Sequence, residues 1–83
     1  MTAKEMFEKL GYKGIEVNNI IEYYMGEKEK YKVIRFWKDS KHIELFGEYY
    51  TDGDLDNYEY YEDNYELFVA INKQVEELGW LDE

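Results

Sequence analysis

Cysteine and proline are both absent from these 83 residues. Without cysteine there is no disulfide framework and no thiolate zinc site. Small secreted domains are often stapled by disulfides, so the absence points to a reducing compartment. Without proline, no native cis-prolyl bond can slow folding. Nucleophilic chemistry has little to draw on: one serine, Ser40, one histidine, His42, and two threonines. Ser40 and His42 stand two apart at a turn-to-strand junction, with no third group to orient them. They read as a polar hairpin turn, not a catalytic pair. Long apolar runs are missing too, and the first residues, MTAKEMFEKLGY, lack the apolar stretch of a signal peptide. The sequence therefore predicts a single cytoplasmic domain with no membrane segment, no catalytic residues and no cofactor; a second core would not fit.

Basic residues are almost missing from the back half. Residues 1–41 hold nine basic and seven acidic side chains, a net +2. Residues 42–83 hold one basic residue, Lys73, and thirteen acidic ones, a net −12. That half repels phosphates and anionic lipid and attracts basic surfaces. Paired carboxylates are so frequent among twenty acids that none marks an acid–base site. Aromatics are the other excess: ten Tyr, four Phe and two Trp exceed what a core this small can enclose. Tyrosine suits strands and half-buried positions, and it is also enriched at interfaces.

Two helices are signalled. Thr2 and Glu5 form a capping box, and Ala3, Met6, Phe7 and Leu10 make one apolar stripe. Gly11 ends that helix, with Tyr12 positioned to fold back on Phe7. Asp63 and Glu66 repeat the capping pattern before a stripe of Leu67, Ile71, Val75 and Leu78, broadened by Phe68 and Ala70. Gly79 and Trp80 close it as Gly11 and Tyr12 close the first.

Between them, residues 13–19 read as a connector, because Gly14 and Asn18-Asn19 are turn chemistry. Strands follow at Ile20–Met25, Tyr31–Lys38 and His42–Tyr50, separated by the charged turn GEKEK (26–30) and by Asp39-Ser40-Lys41. Ile34 and Phe36 fall on one face of their strand; Tyr31, Val33, Arg35 and Trp37 fall on the other. Asp52-Gly53 is a tight-turn dipeptide, after which Leu55–Glu62 reads as a fourth, edge strand. The expected fold is an α+β two-layer domain, a three- to four-stranded antiparallel meander with both helices on one face. Phe7, Leu10, Ile34, Phe36, Leu67, Ile71, Val75 and Leu78 form its expected core.

Residues 44–66 carry nine acids and six tyrosines but no Lys or Arg. In an extended chain, carboxylates at i and i+2 lie about 6.6–6.8 Å apart on one face. An acidic, Tyr-bearing ribbon of that spacing fits a groove built for nucleic acid. Glu48, Tyr50, Asp54, Asp56, Tyr58, Glu59, Tyr61 and Glu62 are the candidate partner-binding residues. A calcium loop is the competing reading, with Asp52, Asp54, Asp56 and Asp63 as ligands. The first three match loop positions 1, 3 and 5. The match fails at Asn57, where the loop wants Gly, and at Asp63, where it wants a bidentate Glu. An Asp-Gly hairpin turn in a solvated acidic stretch accounts for the same residues.

The blocks MTAKEMFEKLGY (1–12) and AINKQVEELGW (70–80) resemble small uncharacterised proteins encoded by phages and prophages of Gram-positive bacteria. The resemblance covers about a quarter of the chain. It implies expression in a bacterial cytoplasm and a phage accessory gene, and it brings no catalytic residue. Together with the acidic ribbon it suggests a non-enzymatic protein that binds a host or phage protein with a basic surface, without direct nucleic-acid or membrane contact. A small-ligand or calcium-binding protein, a structural role in the phage particle, and a homodimer remain as alternatives.

Overall fold

Residues 1–27, 29–58 and 64–81 are described by the computed structural model. Helix α1 (Ala3–Lys9) leads into five strands: β1 (Lys13–Val17), β2 (Ile20–Glu27), β3 (Lys30–Trp37), β4 (His42–Thr51) and β5 (Asp54–Tyr58). Helix α2 (Tyr65–Glu77) follows. The strands form one antiparallel sheet in chain order, β1-β2-β3-β4-β5. The α+β meander expected from the sequence is therefore present, with one strand more.

That extra strand is β1, where a connector was expected. Asn18-Asn19 is indeed a turn, but a two-residue one that pairs Val17 with Ile20 and so builds a hairpin. Asn18 takes φ 52°, a conformation asparagine tolerates. Gly14 is a strand residue, crossed by the ring of Tyr23; a Cβ there would come within 2.9 Å of it. The 26–30 turn is also tighter than expected, since β2 runs to Glu27 and β3 begins at Lys30. The Asp52-Gly53 turn forms as expected, both residues at positive φ (51° and 85°). Of the expected fourth strand, residues through Tyr58 are seen in β5; residues 59–62 lie outside the described residues.

The helix ends follow their signals. Thr2 and Glu5 close a reciprocal capping box. Tyr12 N–H donates to the Phe7 carbonyl at 3.0 Å, and Trp80 N–H to that of Val75 at 3.2 Å, the same closure twice. The N-cap of α2 is Asn64, one residue after the expected Asp63, which lies outside the described residues. Asn64 Oδ1 accepts from Glu66 N–H at 2.8 Å and Leu67 N–H at 3.4 Å. Asparagine caps as well as aspartate does, so the shift has no energetic penalty.

The core joins both helices to one sheet face: Phe7, Tyr12, Ile21, Tyr23, Ile34, Phe36, Leu67 and Ala70 are buried together. Leu10, Ile71, Val75 and Leu78 are half-buried at its margin. Gln74 sits inside the α2 stripe, buried, and accepts a hydrogen bond from the Tyr23 hydroxyl. Phe68 departs from expectation. It lies about 100° of helical rotation from Leu67, faces outward and is half exposed beside Tyr65 and Val69. Glu77 Oε2 accepts from Ala3 N–H at 2.8 Å and ties the two helices together.

Candidate functional site

With both helices on one side, strand alternation decides what the other side shows. Cross-strand partners share a face, so the register places four rows there. Val17, Ile20, Trp37 and His42 form the first. Ile15, Glu22, Arg35 and Glu44 form the second. Lys13, Tyr24, Val33 and Phe46 form the third. Tyr31, Glu48 and Asn57 form the fourth, with Tyr50 and Leu55 beyond it. No described helix covers this face. An antiparallel sheet with one wet face usually shows polar residues there; here rings and aliphatic chains predominate.

At its centre Val33 is only 2% exposed, closed in by cross-strand neighbours Tyr24 and Phe46. Ile15, Val17, Tyr50 and Leu55 stand open on the flanks. Arg35 lies between them. Its Nε and Nη2 donate to Glu22 Oε1 at 2.8 and 2.7 Å, and its guanidinium carbon sits 4.9 Å from the centre of the Phe46 ring. The Trp37 ring is next, at 6.0 Å, and its indole N–H donates to Glu44. A carboxylate and aromatic faces thus hold a cation within the protein's own surface.

A shallow depression opens beside this row. The buried Val33 lies at its base, and Ile15, Tyr24, Tyr31 and Tyr50 line it together with Glu22 and Glu48. The rings of Tyr24 and Tyr31 meet edge to face at 6.4 Å and 69°. Glu48 is half-buried, and among the described residues no side chain bonds to it.

The partner-binding residues singled out in the sequence divide between the two faces. Glu48 and Tyr50 are on the open face. Asp54, Asp56 and Tyr58 are on the opposite side of the β4–β5 hairpin, the side that carries the helices. Glu59, Tyr61 and Glu62 lie outside the described residues. Tyr58 is half-buried. Its ring lies across Gly47, near Lys30 Nζ at 5.0 Å from its centre, and its hydroxyl donates to the Tyr31 carbonyl at 3.2 Å. Tyr49 donates to Asp56 Oδ2 at 3.1 Å, and that bond, with the carboxylate charge, raises its phenol pKa.

The calcium reading needs a loop wrapped around an ion. Asp52 instead sits in the two-residue turn, while Asp54 and Asp56 lie in strand β5. Among the described residues no three His, Asp or Glu side chains gather to hold a metal ion, and Asp63 lies outside them. Ser40 and His42 are exposed at the β3–β4 turn and the start of β4. Among the described residues, no helix is long and apolar enough to cross a membrane.

The sequence reading missed the open face itself, although a signal was there. In β2 and β3 both alternation sets are apolar or aromatic: Ile21 and Tyr23 against Ile20 and Tyr24, Ile34 and Phe36 against Val33 and Trp37. A strand apolar on both sides asks for cover on both, and two helices supply it on one. None of the family models, curated proteins or solved structures compared with this chain matches it.

Proposed function

We propose that this chain is a non-enzymatic binding protein that docks a basic protein surface on the open face of its sheet. One observation carries the reading. Ile15 and Val17 on one flank, and Tyr50 and Leu55 on the other, stand exposed on an uncovered face, and monomeric proteins seldom leave a broad apolar face uncovered without a use for it. The charge supplies the partner's sign. The net −10 is concentrated after residue 41, and the β4–β5 hairpin at one edge of the sheet carries Asp52 in its turn and Asp54 and Asp56 on its other side. Acidic flanks steer a basic partner and speed encounter; apolar and aromatic contacts hold it once docked. The resemblance of the helical segments to phage and prophage proteins supports a bacterial cytoplasm as the setting, with a host or phage protein as the partner.

The test is capture of a basic partner from bacterial lysate, followed by binding kinetics on variants. Val17→Ser with Leu55→Ser is expected to abolish capture. Tyr65→Ser with Phe68→Ser, on the outer side of α2, is expected to leave it unchanged. Asp54→Asn with Asp56→Asn is expected to slow association several-fold at low salt with little change in dissociation. Capture that survives the first pair and is lost with the second moves the interface to α2 and overturns the reading.

A further inference from the structure

We propose that the depression floored by Val33 receives one cationic side chain, a lysine or an arginine, with Glu48 as its counter-ion and Tyr24, Tyr31 and Tyr50 as its walls. This deepens the reading above and rests on it for the source of that cation. In row two Arg35 is held by one carboxylate, Glu22, and by the faces of Phe46 and Trp37. Across the third and fourth rows the same groups recur: the Glu48 carboxylate, the paired rings of Tyr24 and Tyr31, and Tyr50 alongside. What differs is the cation, which row two supplies itself and which, among the described residues, row four does not. Among the described residues Arg35 and Lys13 are the basic side chains that strand alternation puts on this face, besides His42. Arg35 is committed to Glu22, and Lys13 stands three strands away from Glu48.

The energetics favour a cation from outside. A cation brought beside the Glu48 carboxylate gains Coulomb attraction that a neutral group does not. The ring faces add attraction for a cation within about 6 Å of their centres. The apolar floor suits the methylene stem behind an ammonium or guanidinium head. An anion is repelled by Glu48 and Glu22 together, and a neutral side chain leaves Glu48 unpaired.

The test uses the full chain and small probes: n-butylammonium, n-propylguanidinium and, as a neutral analogue of similar shape, 1-pentanol. Nuclear magnetic resonance follows the Val33 methyls and the ring protons of Tyr24, Tyr31 and Tyr50. Saturable shifts are expected with one or both cations; comparing the two distinguishes a lysine from an arginine guest. Glu48→Gln is expected to weaken cation binding about tenfold, the worth of roughly 1.4 kcal/mol, and to leave 1-pentanol unaffected. Tyr31→Leu, which removes the ring and keeps the position apolar, is expected to weaken the cations in the same selective way. Equal binding of 1-pentanol, no saturation below about 0.1 M, or indifference to Glu48→Gln overturns the proposal. The probes report on the depression without any protein partner. Capture that depends on Val17 and Leu55 but not on Glu48 therefore overturns the cation site and leaves the docking face standing. Probe binding with capture indifferent to Val17 and Leu55 overturns the face alone.

Discussion

The ring of Tyr23 lies flat against that of Phe7, centroids 3.8 Å apart and planes 11° from parallel. Its hydroxyl reaches Gln74 on the other helix, so one side chain of β2 fastens the sheet to α1 and α2 at once. Burial, then the charges of Glu77, Glu16 and Glu8, push its phenol pKa up to about 12. The folded pKa stands above the unfolded value near 10, so the folded state prefers the protonated phenol. That stability is complete below about pH 10 and is lost as pH rises toward 12. Tyr23→Phe keeps the stack and strands the buried Gln74 oxygen. It is expected to cost about 1–3 kcal/mol at neutral pH and to flatten the alkaline limb of the stability curve. Denaturant midpoints between neutral pH and pH 12 check both; an alkaline limb unchanged by the substitution rules the linkage out.

Gly47 faces the ring of Tyr58 across the β4–β5 ladder, and a methyl group there would overlap it. Gly47→Ala is expected to destabilise by about 1–3 kcal/mol, the usual cost of forcing volume into a filled space. Adding Tyr58→Leu should recover part of the loss. Additive melting shifts in the double variant would show that the two positions do not meet.

Leu67 and Ile71 lie one turn apart on α2 but differ in burial: Leu67 is 2% exposed and Ile71 half-buried. Leu67→Ala is expected to cost about 2–5 kcal/mol, because both transfer energy and a cavity are involved. Ile71→Ala is expected to cost less, since solvent already reaches it. Urea midpoints of the two variants decide; the reverse order would mean the helix is rotated about its axis.

Ion pairs between described residues include Arg35–Glu22, Lys38–Glu16 and Lys73–Glu76. Set against −12 in residues 42–83, they leave self-repulsion as the larger effect. Raising salt from low to moderate ionic strength near neutral pH is therefore expected to raise the melting temperature. A fall in melting temperature would put the ion pairs ahead.

The sequence carried the helices well because capping and closure are local: Thr2 with Glu5, Gly11 with Tyr12, and Gly79 with Trp80 are each within a few residues of one another. The strand faces of β2 and β3 were legible for the same reason. β1 was not, because Gly14 and Asn18 have the same composition in a loop and in a hairpin, and only pairing with β2 distinguishes the two. The candidate site was half legible. Glu48 and Tyr50 stand out by composition. That they share a face with Val33, Tyr24 and Tyr31 depends on register across three strands, which no stretch of sequence states. The same register turns Asp54, Asp56 and Tyr58 away from them.

Strand order equal to chain order has a consequence for kinetics. Each strand meets its partner after a turn of a few residues, and such hairpins close in about 1–10 μs. The packing of α1 on α2 joins opposite ends of the chain and carries the largest loop-closure entropy. The meander is therefore expected to assemble first and the helix pair to dock late. In a stopped-flow chevron, Gly47→Ala should then slow refolding, while Leu67→Ala should mainly quicken unfolding.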